Sequence, residues 1–101
     1  MNTKYKDINI KENVVYSDLK RLINQVWKLI PLREESKDWK FQLQGVLIEI
    51  TGLQEIFKNE LDFLIVLSKL EGLFSSENFV RYRTDVFSII HTLGEIANGI
   101  Q

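Results

Sequence analysis

The chain has 101 residues, of which 45% are hydrophobic and 27% are charged, and its formal net charge is −1. This length suits one domain, and the composition is that of a globular protein, which excludes an intrinsically disordered chain. The near-zero net charge also excludes the strong overall positive field that draws many proteins to nucleic acids or anionic membranes.

The residue types needed for metal binding and nucleophilic catalysis are scarce. The sequence has no cysteine and one histidine, His91, which excludes disulfides, thiolate zinc sites and thiol nucleophiles. A single histidine also argues against histidine-based metal sites and Ser-His-Asp catalysis. We therefore expect no metal, no cofactor and no enzymatic activity.

The sequence shows neither a targeting segment nor a membrane span. Its first residues, Met1 to Lys11, are polar and include lysines, unlike the apolar stretch of a signal peptide. The longest uninterrupted apolar run is Phe63 to Leu67, which is far shorter than the ~18 residues that a spanning helix needs. We therefore expect a soluble, cytoplasmic protein that does not bind membranes.

Four segments carry apolar side chains at steps of three and four residues, the spacing typical of amphipathic helices. The segments span about residues 13–30, 37–58, 60–74 and 77–98, and we call them predicted helices one to four. Their principal apolar faces predict the core, which comprises Val15, Leu19, Leu22, Ile23, Val26, Ile30, Trp39, Leu43, Val46, Leu47, Ile50, Leu53, Phe57, Phe63, Val66, Leu67, Leu70, Phe74, Phe79, Tyr82, Val86, Ile89, Ile90, Leu93, Ile96 and Ala97.

Local signals predict where the first two helices begin and end. Asn13 or Ser17 can cap the first helix, and Pro31 should end it near the preceding residue, because proline disfavours helical geometry before it. The polar run Arg33 to Lys37 is then a connection. Within it, Ser36 is the expected cap of the second helix.

The last two helices and the N-terminal arm are predicted in the same way. Ser75 and Ser76 should break the third helix and cap the fourth, which Gly99 should stop. Residues 1–12 form a short arm that either adds a short strand or drapes over the helices. Four amphipathic helices with short connections predict an all-α fold: one domain, an antiparallel up-down four-helix bundle with a short extended N-terminal arm.

Predicted helices two and three each carry a second apolar or small stripe, roughly opposite the principal face. A glycine inside a helix costs about 0.5–1 kcal/mol relative to alanine, so the glycines in these stripes need a reason such as close approach of a partner helix. Alternatively, the large side chains cover loops or the arm, and the glycines are neutral. The second stripes are Phe41, Gly45, Ile48 and Gly52, and Leu61, Ile65, Ser68 and Gly72.

These stripes lead to the first functional hypothesis, a non-enzymatic helical module for protein–protein interaction. Such a protein is a small dimeric adaptor, an accessory subunit or an inhibitor. Its partner is either a second copy of the chain or a larger protein complex, because both would bury the same residues. Phe41, Ile48, Leu61 and Ile65 are the expected contact anchors.

The alternative hypothesis is a nucleic-acid-associated small helical subunit of a larger complex, which uses a local basic patch on predicted helices one and four. Trp27 and Trp39 could stack on bases, but both lie on or beside apolar stripes, so we expect buried anchors instead. The cations of this patch are Lys20, Arg21, Lys28, Arg81 and Arg83.

A few remaining polar residues lie near the apolar faces. Glu49 and Glu71 border stripes, where glutamates usually reach solvent and do not act as catalytic acids. His91 is one helical turn before Glu95 and should make a local contact with it. Arg83 should lie at the core edge and pair with a carboxylate or backbone carbonyls, with ligand or partner recognition as the alternative.

Overall fold

The computed structural model describes residues 12–57 and 60–100, and every regular element within these ranges is an α-helix. The predicted all-α class is therefore confirmed for the described part of the chain. The predicted arm lies outside the described residues, except for Glu12, which is helical. The helices are α1 (Glu12–Trp27), α2 (Leu29–Glu34), α3 (Trp39–Ile56), α4 (Leu61–Leu73) and α5 (Phe79–Ile100).

The four long helices pack in a closed ring. Helix α1 packs against α3 and α5, and α4 packs against the same two helices from the opposite corner, while the short α2 contacts α1, α3 and α5. The molecule measures 41 × 21 × 20 Å, as expected for helices lying side by side, since 22 residues of helix are about 33 Å long. Among the described residues, no helix is long and apolar enough to cross a membrane.

The inward faces of the helices form one apolar core. The principal faces predicted from the sequence all contribute to it, because a stripe at helical spacing points to one side of the helix. Ile23, Ile30, Trp39, Leu47 and other predicted members pack against the core while partly exposed. The fully enclosed set is Val15, Leu19, Leu22, Val26, Leu29, Leu43, Val46, Ile50, Leu53, Phe57, Phe63, Val66, Leu70, Leu73, Tyr82, Val86, Ile89, Leu93, Ile96 and Ala97.

Pro31 breaks the first helix earlier than predicted. Helix α1 ends at Trp27 and α2 begins two residues later, so the predicted end near Ile30 is wrong. Of the predicted connection Arg33 to Lys37, the first two residues belong to α2 and the last three connect α2 to α3. A proline clashes with the carbonyl of the fourth residue before it and cannot donate a hydrogen bond to it. For Pro31 that residue is Trp27. Pro31 itself is the third residue of α2, where a backbone N–H has no acceptor within the helix.

Ser36 ends α2 and does not start α3, so its predicted capping role is wrong. Its φ of 58° is left-handed, and the N–H groups of Ser36 and Lys37 donate to the carbonyls of Arg33 (3.0 Å) and Leu32 (2.8 Å). This pair of bonds is the Schellman motif that closes many helices. The cap of α3 is Asp38, whose carboxylate accepts a hydrogen bond from the backbone N–H three residues later.

The cap of α5 is also a different residue from the predicted one. Ser75 and Ser76 do follow the end of α4, but neither caps α5. The side-chain oxygen of Asn78 accepts hydrogen bonds from the N–H groups of Val80 (2.8 Å) and Arg81 (3.2 Å). Serine and asparagine are similarly good N-caps, so the sequence did not distinguish them.

Two further helix ends differ from the predictions. Helix α1 begins at Glu12, so Asn13 and Ser17 lie inside it and do not cap it. Helix α5 continues to Ile100, so Gly99 does not stop it. The predicted end of the second helix near residue 58 lies outside the described residues, and α3 ends at Ile56.

Tyr82 joins three helices at one end of the core. Its side chain is fully buried, and its hydroxyl donates a hydrogen bond of 3.0 Å to the backbone carbonyl of Leu29 in α2. Its ring makes an edge contact with Trp39 of α3, with 5.2 Å between centroids, and stacks near Phe79 at 6.0 Å. Burial raises the pKa of Tyr82 to about 12, although the nearby Arg33 lowers it in part.

We predict that the free energy of unfolding falls between about pH 10 and pH 12 because of Tyr82. The phenol ionises near pH 10 when unfolded and near pH 12 when folded, so within this window only the unfolded chain releases the proton. Urea denaturation across this range should show a steeper loss of stability in the native chain than in Tyr82→Phe, which lacks the titrating group. Equal pH dependence in the two proteins would contradict this assignment.

Candidate functional site

All seven predicted partner-binding residues lie on the exposed surface of α3 and α4. The two helices pack against each other and place their principal apolar faces inward, so the second stripes point away from the core. The exposed fractions of the four anchors are 77% for Phe41, 65% for Ile48, 64% for Leu61 and 37% for Ile65, and the glycines Gly45, Gly52 and Gly72 are also exposed. We call these seven residues the α3/α4 face.

Over the first two turns of α4, the half-exposed Asp62 lies beside a stripe of exposed positions that carry no charge. The exposed positions there are Leu61, Leu64, Ile65 and Ser68, at steps of three, one and three residues, which is one continuous stripe of a helix. Solvent-facing helix positions usually carry charged or polar side chains. An uncharged apolar stripe on the outside of a small protein is typical of a surface that another molecule covers.

Two apolar residues beside this face were not among the predicted partner-binding residues. Leu64 is exposed on α4, and Ile56 is exposed at the end of α3. Both were detectable from spacing, because Ile56 is four residues after Gly52 and Leu64 is three residues after Leu61. Ile56 extends the exposed apolar surface of α3 toward the α3–α4 connection, and Leu64 adds to that of α4.

The glycines of the face have empty space where a side chain would be. A Cβ atom built at Gly45, Gly52 or Gly72 has no neighbour within 4 Å. No close approach within the described chain therefore requires glycine at these positions. Any compensation for their cost in helix stability has to come from contacts with another molecule.

An ion pair borders the face on the side of α1. The guanidinium of Arg21 contacts the carboxylate of Glu49 through two nitrogens, at 2.8 and 3.3 Å, and thereby links α1 to α3. The hydrogen bond to Glu49 raises the pKa of Arg21. Beside this pair, Gly52 and Ile56 line a shallow depression of about 270 Å³. Glu49 therefore bridges two helices, and the depression offers room for an apolar side chain.

The predicted basic patch is only partly available. Helices α1 and α5 are packed neighbours, as the patch requires, but Arg21 pairs with Glu49 and with Asp18. Arg81 lies 3.9 Å from Asp85, which neutralises a second cation. Lys20, Lys28 and Arg83 are exposed, and among the described residues none of these three forms an ion pair. Arg83 is therefore not at the core edge, and that prediction is wrong.

Trp27 is not the buried anchor that we expected. It is 45% exposed and makes an edge contact with Phe87, which is 43% exposed, with 5.3 Å between the ring centroids. Lys28 follows Trp27 directly, and Arg83 is one helical turn before Phe87. Trp39, by contrast, is half-buried against the core. The break that Pro31 causes leaves Trp27 at a helix end, which spacing alone did not reveal.

The remaining candidates show only local contacts or exposure. His91 lies 3.6 Å from Glu95 one turn later, and both side chains are exposed, which confirms the predicted contact. Glu71 is exposed on α4. No group of three or more His, Asp or Glu side chains in the described ranges could hold a metal ion.

No known protein family matches the chain, and no curated protein and no solved structure matches it either. Two surfaces of the described chain expose several large apolar side chains: the α3/α4 face and the pair formed by Trp27 and Phe87.

We predict that Gly45→Ala and Gly52→Ala each raise the free energy of unfolding of the isolated chain by about 0.5–1 kcal/mol. Alanine favours the helix, and its methyl group meets nothing at either position. Gly94→Ala in α5, where a Cβ also has no neighbour within 4 Å, is the matched control. Urea denaturation in dilute solution measures the free energy of unfolding of all three variants. A loss of stability at Gly45 or Gly52 alone would mean that these positions are occupied.

Proposed function

We propose that this chain is a non-enzymatic helical module for protein–protein interaction: a small dimeric adaptor, accessory subunit or inhibitor that acts through the α3/α4 face. The observation that carries the proposal is the exposure of Phe41 and Ile48 on α3 together with that of Leu61 and Ile65 on α4, a helix that packs against α3. Burial of large apolar side chains is the main source of free energy in most protein association. A cytoplasmic location stays a prediction.

A second copy of the chain is the partner that we favour. The formal net charge of −1 gives little repulsion between copies. In a dimer with a two-fold axis, both copies contribute the same surface to the contact. The uncharged stripe of one copy therefore brings no like charge against the same stripe of the other. The exposed glycines would let two helices approach closely, and the depression beside Gly52 and Ile56 would receive an apolar side chain.

We also propose that the four long helices form an antiparallel up-down bundle. Contacts between α1 and α3 support it: Arg21 pairs with Glu49, and the side chain of Gln42 donates a hydrogen bond of 3.2 Å to the carbonyl of Gln25. A higher residue number in α1 thus meets a lower number in α3. This relation is expected of two neighbouring helices that run in opposite directions.

Contacts between the first and last helices support the same topology. Trp27 meets Phe87, and Leu29 of α2 meets Tyr82, so the numbers again run in opposite senses. In an up-down bundle the first and fourth helices are antiparallel neighbours. The arrangement leaves the outer side of α3 and α4 free for a partner.

Association should depend on Ile48 and Ile65. We predict that the double variant Ile48→Asp/Ile65→Asp weakens self-association at least about tenfold, because two charges would be buried in an apolar contact. Light-scattering chromatography over a wide range of protein concentration, at low and at high salt, measures the mass. The native chain should remain dimeric at high salt, since apolar association tolerates it.

The matched control is Val80→Asp, which places the same charge at an exposed apolar position of α5. It should leave the mass of the dimer unchanged, and circular dichroism should show native helicity for every variant. A native chain that is monomeric at all concentrations would exclude the homodimer. Association that persists undiminished in the double variant would show that the contact lies elsewhere.

The exposed pair of Trp27 and Phe87 favours a second candidate function, binding of single-stranded nucleic acid as a subunit of a larger complex. Exposed aromatic rings stack on bases, and cations beside them contact phosphates. Lys28 follows Trp27 directly, and Arg83 is one helical turn before Phe87. Since Arg21 and Arg81 are paired with acids, this proposal rests on a smaller patch than the five cations of the prediction.

We predict for this second function a salt dependence set by Lys20, Lys28 and Arg83. Three phosphate contacts give a slope of log K against log salt of about −2, whereas five would give about −3.5. Fluorescence anisotropy of a labelled single-stranded oligonucleotide, recorded at several salt concentrations, measures this slope. Trp27→Ala should weaken binding about tenfold, and Phe41→Ala, at an exposed aromatic residue elsewhere, should not. Absence of binding at low salt would exclude the function.

A further inference from the structure

The side chain of Arg33 lies in a corner formed by two aromatic rings. The central carbon of its guanidinium is 4.4 Å from the ring centroid of Tyr82 and 4.9 Å from that of Trp39. The two rings meet edge to face, and the hydroxyl of Tyr82 is held by the carbonyl of Leu29. Because α2, α3 and α5 all contribute to this corner, the guanidinium is held in one orientation.

The charge of Arg33 has no anionic partner among the described residues. Its Nη1 atom is buried and makes no hydrogen bond there, and none of the ion pairs in that part of the chain includes Arg33. Aromatic rings stabilise a cation but do not accept all its N–H groups. A guanidinium with free donors in a fixed plane matches the two oxygens of a carboxylate or a phosphate.

Arg33 also borders an open depression of about 560 Å³ at this end of the molecule. Helix α3 contributes Trp39 and Lys40 to the lining, and the α4–α5 connection contributes Ser75 and Ser76, whose hydroxyls donate long hydrogen bonds of 3.4 and 3.5 Å to nearby backbone carbonyls. The ammonium of Lys40 lies 5.6 Å from the ring centroid of Trp39. The ammonium of Lys40 and the guanidinium of Arg33 therefore lie near the same tryptophan ring.

One acidic residue, Glu77, lines the same depression. It does not form an ion pair with Arg33 or Lys40, so the two cations exceed the one carboxylate. The lining side chains thus carry two positive charges and one negative charge. Glu77 would repel an anion there and so limits the affinity of the depression for one.

We propose that this depression is a binding site for an oxyanion, the carboxylate or phosphate group of a ligand, with Arg33 as the principal contact. Lys40 adds a second positive charge. The aromatic corner keeps Arg33 oriented, so little side-chain freedom is lost on binding. None of these residues belongs to the α3/α4 face, so the proposal stands independently of the dimer.

Fluorescence of Trp39 reports directly on this site. The chain has two tryptophans, so Trp27→Phe leaves Trp39 as the single reporter. In this background, inorganic phosphate and acetate are titrated separately at constant ionic strength, which distinguishes phosphate from carboxylate. We expect a saturable change with at least one of them. Arg33→Met should weaken that binding at least about tenfold, because it removes the charged donors and keeps an apolar side chain against the rings.

Three further variants keep the test decisive if Arg33→Met does not fold. Lys40→Met should weaken binding, and Glu77→Gln should tighten it. Arg83→Met removes an exposed cation elsewhere and should change nothing. The proposal is overturned if neither anion gives a saturable change. It is equally overturned if Lys40→Met, Glu77→Gln and Arg83→Met all bind like the parent.

Discussion

The hydrogen bond from the hydroxyl of Tyr82 to the carbonyl of Leu29 fixes the end of the molecule where three helices meet. A buried phenol needs an acceptor, since an unsatisfied hydroxyl in the core costs about 1–3 kcal/mol. Pro31 makes the acceptor reachable by breaking the first helix and starting a separate α2. The ring of Tyr82 also contacts Trp39 and Arg33. Tyr82 therefore belongs both to the core and to the surroundings of the proposed oxyanion site.

The core is complete without the outer side of α3 and α4. Each long helix buries its principal face, and residues such as Leu43 and Leu70 are fully enclosed. Phe41 and Ile48 therefore add nothing to the core, yet they expose large apolar areas to water. In a small monomer such a surface lowers solubility with no gain in stability. The proposed partner would bury these side chains together with their uncharged neighbours on α4.

Helical periodicity made the elements and the core predictable, while helix ends were predicted less well. The apolar stripes depend only on spacing, so the faces from Val15 to Ala97 lie inward as expected. Helix ends depend on which of several similar polar residues the backbone can reach. Ser36 and Asp38 are both good caps, and Ser76 and Asn78 likewise. Tertiary packing selected Asp38 and Asn78 and left Ser36 to close α2.

Periodicity within one helix was enough to predict the all-α class, the inward faces and the outward position of the second stripes. Which side chains of different helices meet depended on how the helices pack. Arg21 is paired with Glu49 across two helices, Trp27 is exposed beside Phe87, and Arg33 is held against the ring of Tyr82. Such contacts join residues far apart in the chain, and spacing within one helix carries no information about its neighbours.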